Sequence, residues 1–494
     1  MIVGIDFGTV NSSVSYIDDD LKPQIIVNER GVRLTPSVVY FKNSEEVIVG
    51  EIAKSQRLVK PEQTILLVKR KIGEDYKYNI FECEYFPPEI ASFIFRKLKQ
   101  YTSDYLNKEI NRAVITVPAY FDDNQRQGVL LAAKLAGMEV VKLLNEPTAA
   151  ALAYNLDPTI DQNVLVLDFG GGTFDLTLLN SHNGIYKVLS TKGNTNLGGI
   201  DFDKVIVNWI LDTIKKKDGI DLSNDTVALQ QIWNAAEKAK IDLSSVEETN
   251  IVIPYIAINE NGPYHINITL TRGRFENLSI DLLLKAKKLI LEVLKDANLT
   301  PDQIDKVILA GGTSRIPAFK KIIKNIFEKS EILGTINPDE VVALGAAVQA
   351  GIIEGKLQNI ELKDIVSHTL GILNDDGQFV PIIEKGTSYP TSSTKMFTNT
   401  RDNQNSVIIK VLQEHNDNLI ELGNLEYVSE FYWKKEEANI SVTFYIDING
   451  VLKVIAEDLD HGNKKELNLK NPFLELRNIN IEEKKKFLEK INVL

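Results

Sequence analysis

The chain has 494 residues, of which 44% are hydrophobic and 25% charged, a composition that fits a globular chain with material for two to four domains. Lys and Arg number 56 against 68 Asp and Glu, so the formal net charge is −12, which argues against binding to the phosphate backbone of nucleic acids. The single cysteine, Cys83, excludes an intrachain disulfide, and the five histidines lack metal-ligand spacing.

Up to about residue 355, short apolar runs alternate with amphipathic helical patterns, which predicts α/β layers. The runs predicted as strands are Ile2–Phe7, Ala113–Val117, Val164–Phe169 and Val307–Ala310. The segments predicted as helices are Gln125–Ala136, Asp203–Lys217, Gln230–Leu243, Ile280–Ala297 and Ala318–Phe327.

After residue 365 the hydrophobic pattern changes to a period of two, which is typical of half-buried strands. Apolar residues alternate from Val442 to Ile448, and Asn449-Gly450 then predicts a type I′ hairpin turn into Val451–Glu457. Phe379–Ile383 and Val407–Leu412 show similar runs, so an all-β unit is expected here. Ile481–Ile491 reads as a short charged helix.

Two segments of the chain resemble each other. Asp6–Thr9 and Asp168–Thr173 each follow an apolar strand and precede another apolar run, so each is predicted to be a hairpin tip. Glycine tips let main-chain N–H groups approach phosphate oxygens, and an Asp at each strand end could hold Mg²⁺ through water. Two related halves would bring both tips to one cleft, although Asp6–Thr9 taken alone is better explained by a tight turn.

A third glycine segment, Gly311–Arg315, follows the predicted strand that ends at Ala310. It is either an ordinary strand-to-helix turn or a flat surface on which an adenine or ribose can lie. Helical spacing puts Glu237, Lys240 and Ser244 on one face of their helix, where the first two are most simply an exposed ion pair.

The first residues and the hydropathy pattern bear on location. The chain opens directly on strand-like Ile2–Ile5, so no signal peptide is expected. No apolar run approaches the roughly 20 residues needed to cross a bilayer. We therefore predict a cytoplasmic protein without membrane or nucleic-acid partners.

Together these segments resemble the Hsp70 chaperone family, the bacterial members in particular, over nearly the whole chain. The matching segments occur in family order and are Gly4–Ser12, Val117–Phe121, Asn145–Tyr154, Asp168–Asp175, Leu197–Asp203, Gly311–Pro317 and Ile336–Glu340. The resemblance implies an actin-like, duplicated α/β ATPase domain over residues 1–355 and a linker over 356–366. It also implies a β-sandwich that binds peptides over 367–471 and a short helix over 472–494.

The resemblance also implies which residues bind and hydrolyse ATP. The implied catalytic residues are Asp6, Lys69, Glu146, Asp168 and Thr173, of which the three acids would hold Mg²⁺ through water. K⁺ is a further candidate ion. The implied nucleotide contacts are Gly8, Thr9, Val10, Asn11, Gly170, Gly171, Gly172, Gly198, Gly199, Glu237, Lys240, Ser244, Gly311, Gly312, Thr313, Arg315 and Asp339.

Coupling and partners follow from the same resemblance. Pro118, Arg126 and Asp364 match residues that connect the ATPase domain to the sandwich. The pocket for an extended hydrophobic peptide is implied at Ile372, Phe397, Val407 and Ile409, which the pattern alone would assign to a sandwich core. Implied partners are unfolded polypeptides, a J-domain co-chaperone and a nucleotide exchange factor, in a role in protein folding and the stress response.

Several positions depart from the family pattern. Val10 stands for a threonine and Ile241 for an arginine that stacks on adenine, while Lys142 replaces an arginine used by the J-domain protein. Charged residues interrupt the linker at Ile360–Lys363. Asp375 and Thr400 occupy the two positions that arch over bound peptide.

Few residues follow the sandwich, so the chain is expected to lack the helical lid and to exchange peptide quickly. Two other functions fit parts of the pattern. One is an actin-fold kinase acting on a small metabolite, which leaves the β-sandwich unexplained. The other is a non-cycling ATP-binding regulator with one dedicated partner, for which the altered linker and arch are the signs.

Overall fold

The computed structural model describes residues 1–154, 160–182, 185–259, 262–357, 361–374, 377–415, 418–467 and 481–494. Asp375 in the predicted arch, Ile360 in the predicted linker and the whole segment 468–480 lie outside the described residues.

The first half of the α/β region, here called the first lobe, contains a main sheet of mixed direction and smaller sheets beside it. Its strands are β1 (Ile2–Asp6), β2 (Asn11–Ile17), β3 (Pro23–Ile26), β4 (Thr35–Pro36), β5 (Val39–Phe41), β6 (Glu46–Val49), β7 (Thr64–Ile65), β8 (Tyr78–Ile80), β9 (Cys83–Tyr85), β10 (Arg112–Val117) and β11 (Glu139–Asn145). Its helices are α1 (Glu51–Gln56), α2 (Val68–Lys71), α3 (Pro87–Leu106), α4 (Asp123–Leu135) and α5 (Glu146–Ala153).

The second lobe repeats this plan. Its strands are β12 (Gln162–Phe169), β13 (Phe174–His182), β14 (Ile185–Asn194), β15 (Glu248–Asn259), β16 (Gly262–Thr271), β17 (Lys306–Ala310), β18 (Glu331–Leu333) and β19 (Glu361–Lys363). Its helices are α6 (Gly199–Asp218), α7 (Thr226–Leu243), α8 (Arg272–Leu278), α9 (Ile280–Asp296), α10 (Pro317–Ile326) and α11 (Val341–Ile353).

The two lobes have the same sheet topology. The first sheet runs β11-β10-β1-β2-β3 and the second β18-β17-β12-β13-β14, and in each the first three strands are parallel and the last two pairings antiparallel. Helices α5 and α11 pack in one apolar cluster with residues of both sheets. The duplication expected from the two similar Asp-Gly-Thr segments is therefore confirmed.

The last part of the described chain is a sandwich of two four-stranded sheets. Its strands are β20 (Leu370–Leu373), β21 (Phe379–Ile383), β22 (Thr391–Phe397), β23 (Gln404–His415), β24 (Asn418–Trp433), β25 (Ile440–Ile446), β26 (Leu452–Asp458) and β27 (Lys464–Leu467). The sheets run β21-β20-β23-β24 and β22-β25-β26-β27 around one apolar core. A helix, α12 (Ile481–Glu489), and a two-residue strand, β28 (Asn492–Val493), follow.

The hairpin at Asn449-Gly450 forms, but the predicted turn type is wrong. A type I′ turn needs positive φ at both central residues, and here Gly450 has φ 72° while Asn449 is not among the residues with positive φ. The Asp447 carboxylate accepts the N–H groups of Asn449 and Val451, and this side-chain cap supports a longer loop.

Candidate functional site

The two glycine tips meet between the lobes. A Cβ at Gly171 would overlap Cγ2 of Val10, and one at Gly172 would overlap the side chain of Thr9. Because any larger residue would push the tips apart, the close approach requires glycine on the second-lobe side. The juxtaposition predicted from the repeat is confirmed, and Val10, which departs from the family pattern, serves as the packing surface for Gly171.

Further glycines close the second-lobe wall of this cleft. Gly199 N–H donates to the Gly170 carbonyl at 3.1 Å, and Thr313 Oγ1 donates to the same carbonyl at 2.8 Å. Gly198 lies so near that a Cβ on it would be 2.6 Å from backbone atoms of Gly171. The three glycine segments of the second lobe are thus held to one another by hydrogen bonds and by close main-chain packing.

Main-chain donors at the tips are open for a ligand. The amide nitrogens of Thr9 and Gly171, which line the cleft, make no hydrogen bond within the described part of the chain, whereas Gly172 is buried against Thr9 and does not line the cleft. On the first lobe, the Ser37 hydroxyl donates to the Gly8 carbonyl at 2.7 Å, which fixes that tip. Clustered N–H groups on adjoining glycine turns are a general arrangement for binding phosphate oxygens.

A lysine and several carboxylates lie behind the tips. Lys69 Nζ is 2.6 Å from Glu146 Oε1, and both side chains are less than a tenth exposed. Asp6 and Asp168, at the ends of β1 and β12, line the same cleft. The Thr116 hydroxyl donates to Asp6 at 3.2 Å. The lobes therefore bring together all four charged groups that the sequence assigned to catalysis.

Burial changes the acidity of these carboxylates. It raises the pKa of Asp6 to about 7, with the charge of Glu146 adding to the effect and Lys69 opposing it. Burial and Glu146 likewise raise the pKa of Asp168 well above its ordinary value and that of Asp175 to about 7. Among the described residues, no three acidic or histidine side chains stand close enough to ligate a metal ion directly, so these carboxylates suit a Mg²⁺ ion that keeps its water shell and whose charge would offset their mutual repulsion.

The free protein should unfold at a higher temperature at pH 6 than at pH 8. Burial raises the pKa of Asp123 and of Asp175 from 3.8 to about 7, so the folded state binds protons that the unfolded state releases. This stabilisation is complete below pH 3.8 and is lost as the pH rises through 7, and between pH 6 and 8 it amounts to about 1 kcal/mol per carboxyl. Calorimetric melts without nucleotide at both pH values check this prediction. Asp175→Asn is the control, because it removes one of the two titrating carboxyls and should narrow the difference in melting temperature. Equal melting temperatures, or a higher one at pH 8, would contradict the prediction.

The outer part of the cleft corrects one expectation. Glu237 and Lys240 do not pair with each other. Lys240 Nζ lies 2.7 Å from Asp203, and Glu237 accepts from Lys54 across the cleft at 3.0 Å. The helical spacing brought both side chains to the correct face, but each finds a tertiary partner in another element.

The sequence reasoning missed several cleft residues. Lys54 and Arg57 come from α1 and its end, and the Arg57 guanidinium lies 5.9 Å from the ring centre of Trp233, which faces it from α7. Arg70 does not line the cleft itself, but it donates to Asp201 at 2.9 Å and to the Gly172 carbonyl at 2.7 Å and so helps to hold the second tip in place. Trp233 precedes Glu237 by one helical turn, and Arg70 adjoins Lys69, so these two could have been found by helical spacing and adjacency.

The far wall carries the remaining predicted contacts. Arg315 donates to Asp339 at 2.8 Å and to Asn337 at 2.6 Å, and Ser244 and the exposed Ile241 line the same cleft. The cleft has a volume of about 690 Å³, which suits a nucleotide. The predicted residues that line it are Asp6, Gly8, Thr9, Val10, Asn11, Lys69, Glu146, Asp168, Gly170, Gly171, Thr173, Gly199, Glu237, Lys240, Ser244, Gly311, Gly312, Thr313, Arg315 and Asp339.

A comparison with protein-family models agrees with this arrangement. The model of the Hsp70 protein matches residues 2–492. The chain belongs to the Hsp70 family. Its fold is accordingly the actin-like ATPase domain followed by a β-sandwich. Hsp70 proteins are chaperones and ATP-binding, Mg²⁺-dependent ATPases that bind polypeptides and work with co-chaperones. Among the described residues, no helix is long and apolar enough to cross a membrane.

The residues implied in Hsp70 coupling gather where the sandwich meets the first lobe. The Asn145 amide donates to Asp364 at 2.7 Å and accepts from Arg126 at 2.8 Å. Arg126 also donates to the main-chain carbonyl of Asn449 in the sandwich at 3.3 Å. Pro118 is buried directly after β10, beside this cluster's Ala119–Phe121 loop. Burial raises the pKa of Asp364, with Arg126 opposing the effect.

Other contacts hold the sandwich against both lobes. Asp123 accepts the Leu452 N–H at 2.7 Å, and Ser367 donates to the Ala119 carbonyl at 2.6 Å. On the second lobe, Lys385 lies 2.9 Å from Asp296. Strand β19, inside the predicted linker, pairs in parallel with β14. Glu361–Lys363 of the interrupted linker segment therefore still supplies a strand to the second-lobe sheet.

The four residues implied in peptide binding share one apolar cluster. Ile372 and Ile409 are each 3% exposed, and Phe397 and Val407 are partly buried against them. They belong to the sandwich core in this structure, as the hydrophobic pattern alone indicated. Thr400, one of the two predicted arch positions, is exposed.

Proposed function

We propose that this chain is an ATP-driven chaperone that hydrolyses Mg-ATP between its lobes and thereby alternates between weak and tight binding of extended hydrophobic peptide segments. The observation that carries the proposal is the contact of the two glycine tips in front of Lys69, Glu146, Asp6 and Asp168. Phosphoryl transfer to water depends mostly on positioning and charge neutralisation, which this arrangement supplies.

Each group has a proposed role in hydrolysis. The tips and the hydroxyls of Thr9 and Thr173 bind phosphate oxygens. Asp6, Asp168 and Glu146 order the water shell of a metal ion and the attacking water, while Lys69 neutralises charge that develops on the γ-phosphate. Bound Mg²⁺ would supply further neutralisation. K⁺ remains a further candidate ion of the cleft.

The outer wall holds the rest of the nucleotide in this proposal. Glu237, Lys240 and Ser244 contact the ribose and base, and Gly311–Thr313, Arg315 and Asp339 form the opposite surface. Ile241 replaces the stacking arginine of the family, so part of the base's cation–π contact is lost.

The coupling route proposed here runs from the cleft through Glu146 and Asn145. These residues are adjacent in sequence, and Asn145 contacts both Arg126 and Asp364. A shift of Glu146 toward or away from bound phosphate is thereby transmitted to the sandwich contact. Pro118, Arg126 and Asp364 act as the coupling residues, and a J-domain protein and an exchange factor assist the cycle. Location in the cytoplasm and a role in the stress response belong to the same proposal.

Peptide affinity should be about tenfold weaker with Mg-ATP than with Mg-ADP, because a coupled two-state chaperone binds peptide differently in its two nucleotide states. Fluorescence anisotropy of a labelled leucine-rich peptide measures both affinities. Fast dissociation of peptide with ADP bound belongs to the same proposal.

Two variants make this experiment specific. Lys69→Ala should still bind peptide more weakly with added ATP than with added ADP. It should lose the slow rise in peptide affinity that follows hydrolysis of the added ATP. Lys71→Ala, whose exposed side chain pairs with Glu74, should behave as the unmodified chain does. Equal peptide affinity in both nucleotides would contradict the chaperone cycle and favour a non-cycling regulator; rapid phosphate transfer to a small acceptor would favour a kinase.

A further inference from the structure

The last described segment, residues 481–494, packs as part of the first lobe and is called the strap here. Leu488, Ile491 and Val493 are at most 7% exposed and belong to the same apolar core as β1, β5 and α3. The strap follows the sandwich in sequence, yet its apolar side chains are buried in the domain that precedes the sandwich.

Main-chain hydrogen bonds add the strap to a first-lobe sheet. Strand β28 pairs in parallel with β6 and extends the order β28-β6-β5-β7. The Asn492 N–H donates to the Glu45 carbonyl at 2.7 Å, and the Leu494 N–H donates to the Val47 carbonyl at 2.9 Å. Without β28, β6 would be an edge strand with unpaired donors and acceptors.

Two charged groups of helix α3 find partners in the strap. Glu89 is fully buried, and its Oε1 lies 2.8 Å from Nζ of Lys484. Arg96 donates to the carbonyls of Leu488 and Ile491 at 2.7 and 2.9 Å, where α12 ends. Such guanidinium contacts satisfy the unpaired carbonyls at a helix end. Removing the strap would leave a buried carboxylate without its cation, which is strongly unfavourable.

The opposite end of the sandwich is also attached to the ATPase domain. Strand β19, which enters the sandwich, pairs with β14 of the second lobe. The thirteen residues 468–480 join the end of the sandwich to the strap and reach at most about 50 Å when fully extended. In topological terms the sandwich is therefore an insertion between two parts of the ATPase domain.

We propose that the strap is an integral part of the first lobe that tethers the second end of the sandwich, so the two domains stay within a bounded distance throughout the nucleotide cycle. One covalent connection limits separation weakly, whereas two connections to different lobes raise the effective concentration of one domain at the other. The strap thus favours the arrangement in which the sandwich contacts both lobes of the ATPase domain.

A cleavable full-length chain tests this proposal without requiring ATP binding. A protease site is placed within residues 468–480, and dyes are attached at Ser392→Cys and Lys320→Cys, both exposed positions, in a Cys83→Ser background. Energy transfer between the dyes is measured before and after cleavage of the folded protein, first without nucleotide and then with Mg-ADP. Gel filtration and mass spectrometry then show whether the fragment that carries the strap stays bound to the rest of the protein.

The cleaved fragment that carries the strap should co-elute with the first lobe, and energy transfer should fall by about half once the tether is cut. Leu488→Asp should release the fragment after cleavage, and Lys490→Ala, at an exposed position of the same segment, should not. Loss of the fragment from the unmodified cleaved chain would overturn the strap's place in the first lobe, and unchanged energy transfer would overturn its role as a tether.

Discussion

Replacing Lys69 by alanine should lower the rate of ATP hydrolysis about 100-fold or more while Mg-ATP still binds. The Lys69 ammonium is fixed by Glu146 at 2.6 Å and lies 5.7 Å from the ring centres of both Phe7 and Phe121, so its charge is held at one place in the cleft. A fixed charge costs no reorganisation when charge develops on the transferred phosphoryl group. Single-turnover hydrolysis of pre-bound ATP measures this step separately from binding.

The structure provides controls for this variant. Lys71→Ala removes an exposed lysine of the same helix that pairs with Glu74, and its hydrolysis rate should be unchanged. Lys69→Ala also leaves Glu146 buried without its partner, at a cost of about 3–5 kcal/mol in stability, so a thermal melt must accompany the assay. Glu146→Gln paired with Lys69→Ala removes that charge and should regain stability without regaining activity. Hydrolysis within threefold of the unmodified rate in folded Lys69→Ala would contradict the proposed role.

Gly198→Ala should weaken the binding of Mg-ATP by about 50-fold or more. The new Cβ would lie 2.6 Å from main-chain atoms of Gly171 and Gly172, and main chain cannot rotate away as a side chain can. The second tip would be displaced, and with it the N–H groups that we propose bind phosphate. Calorimetric titration with Mg-ATP measures the loss.

Gly273→Ala is the matched control for that substitution. Gly273 lies in helix α8, and a Cβ there would have no neighbour within 4 Å among the described residues. Alanine at a helical position is about 1 kcal/mol more favourable than glycine, so this variant should bind Mg-ATP normally and melt slightly higher. Equal affinity of the two variants would mean that the contact between the tips does not shape the nucleotide site.

The sequence was sufficient for the parts of the site that are local in the chain. A strand that ends in Asp, followed by glycine and Thr, is one hairpin, and its repetition implied two lobes with facing tips. Lys69 and Glu146 came from the family resemblance, because their 77-residue separation leaves no local signal of the ion pair. The structure shows that these two residues share one buried contact.

Contacts between distant elements were where sequence reasoning failed. Helical spacing placed Glu237 and Lys240 on the right face, but their partners Lys54 and Asp203 lie on α1 and α6, and no i,i+3 rule indicates them. The helix at Ile481–Ile491 was predicted within two residues of its observed end, whereas its docking on the first lobe was not. An amphipathic segment indicates that a face is buried and does not indicate against which surface.

We propose above all that the two glycine tips and the carboxylates of the same cleft form one site for a nucleoside triphosphate with its magnesium ion. Isothermal titration of the full chain with ATP, with and without Mg²⁺, tests it most directly. One saturable site is expected, whose affinity rises with Mg²⁺ and falls by about 50-fold or more in Gly198→Ala. Absence of a binding heat at several temperatures, with the protein folded, would contradict it.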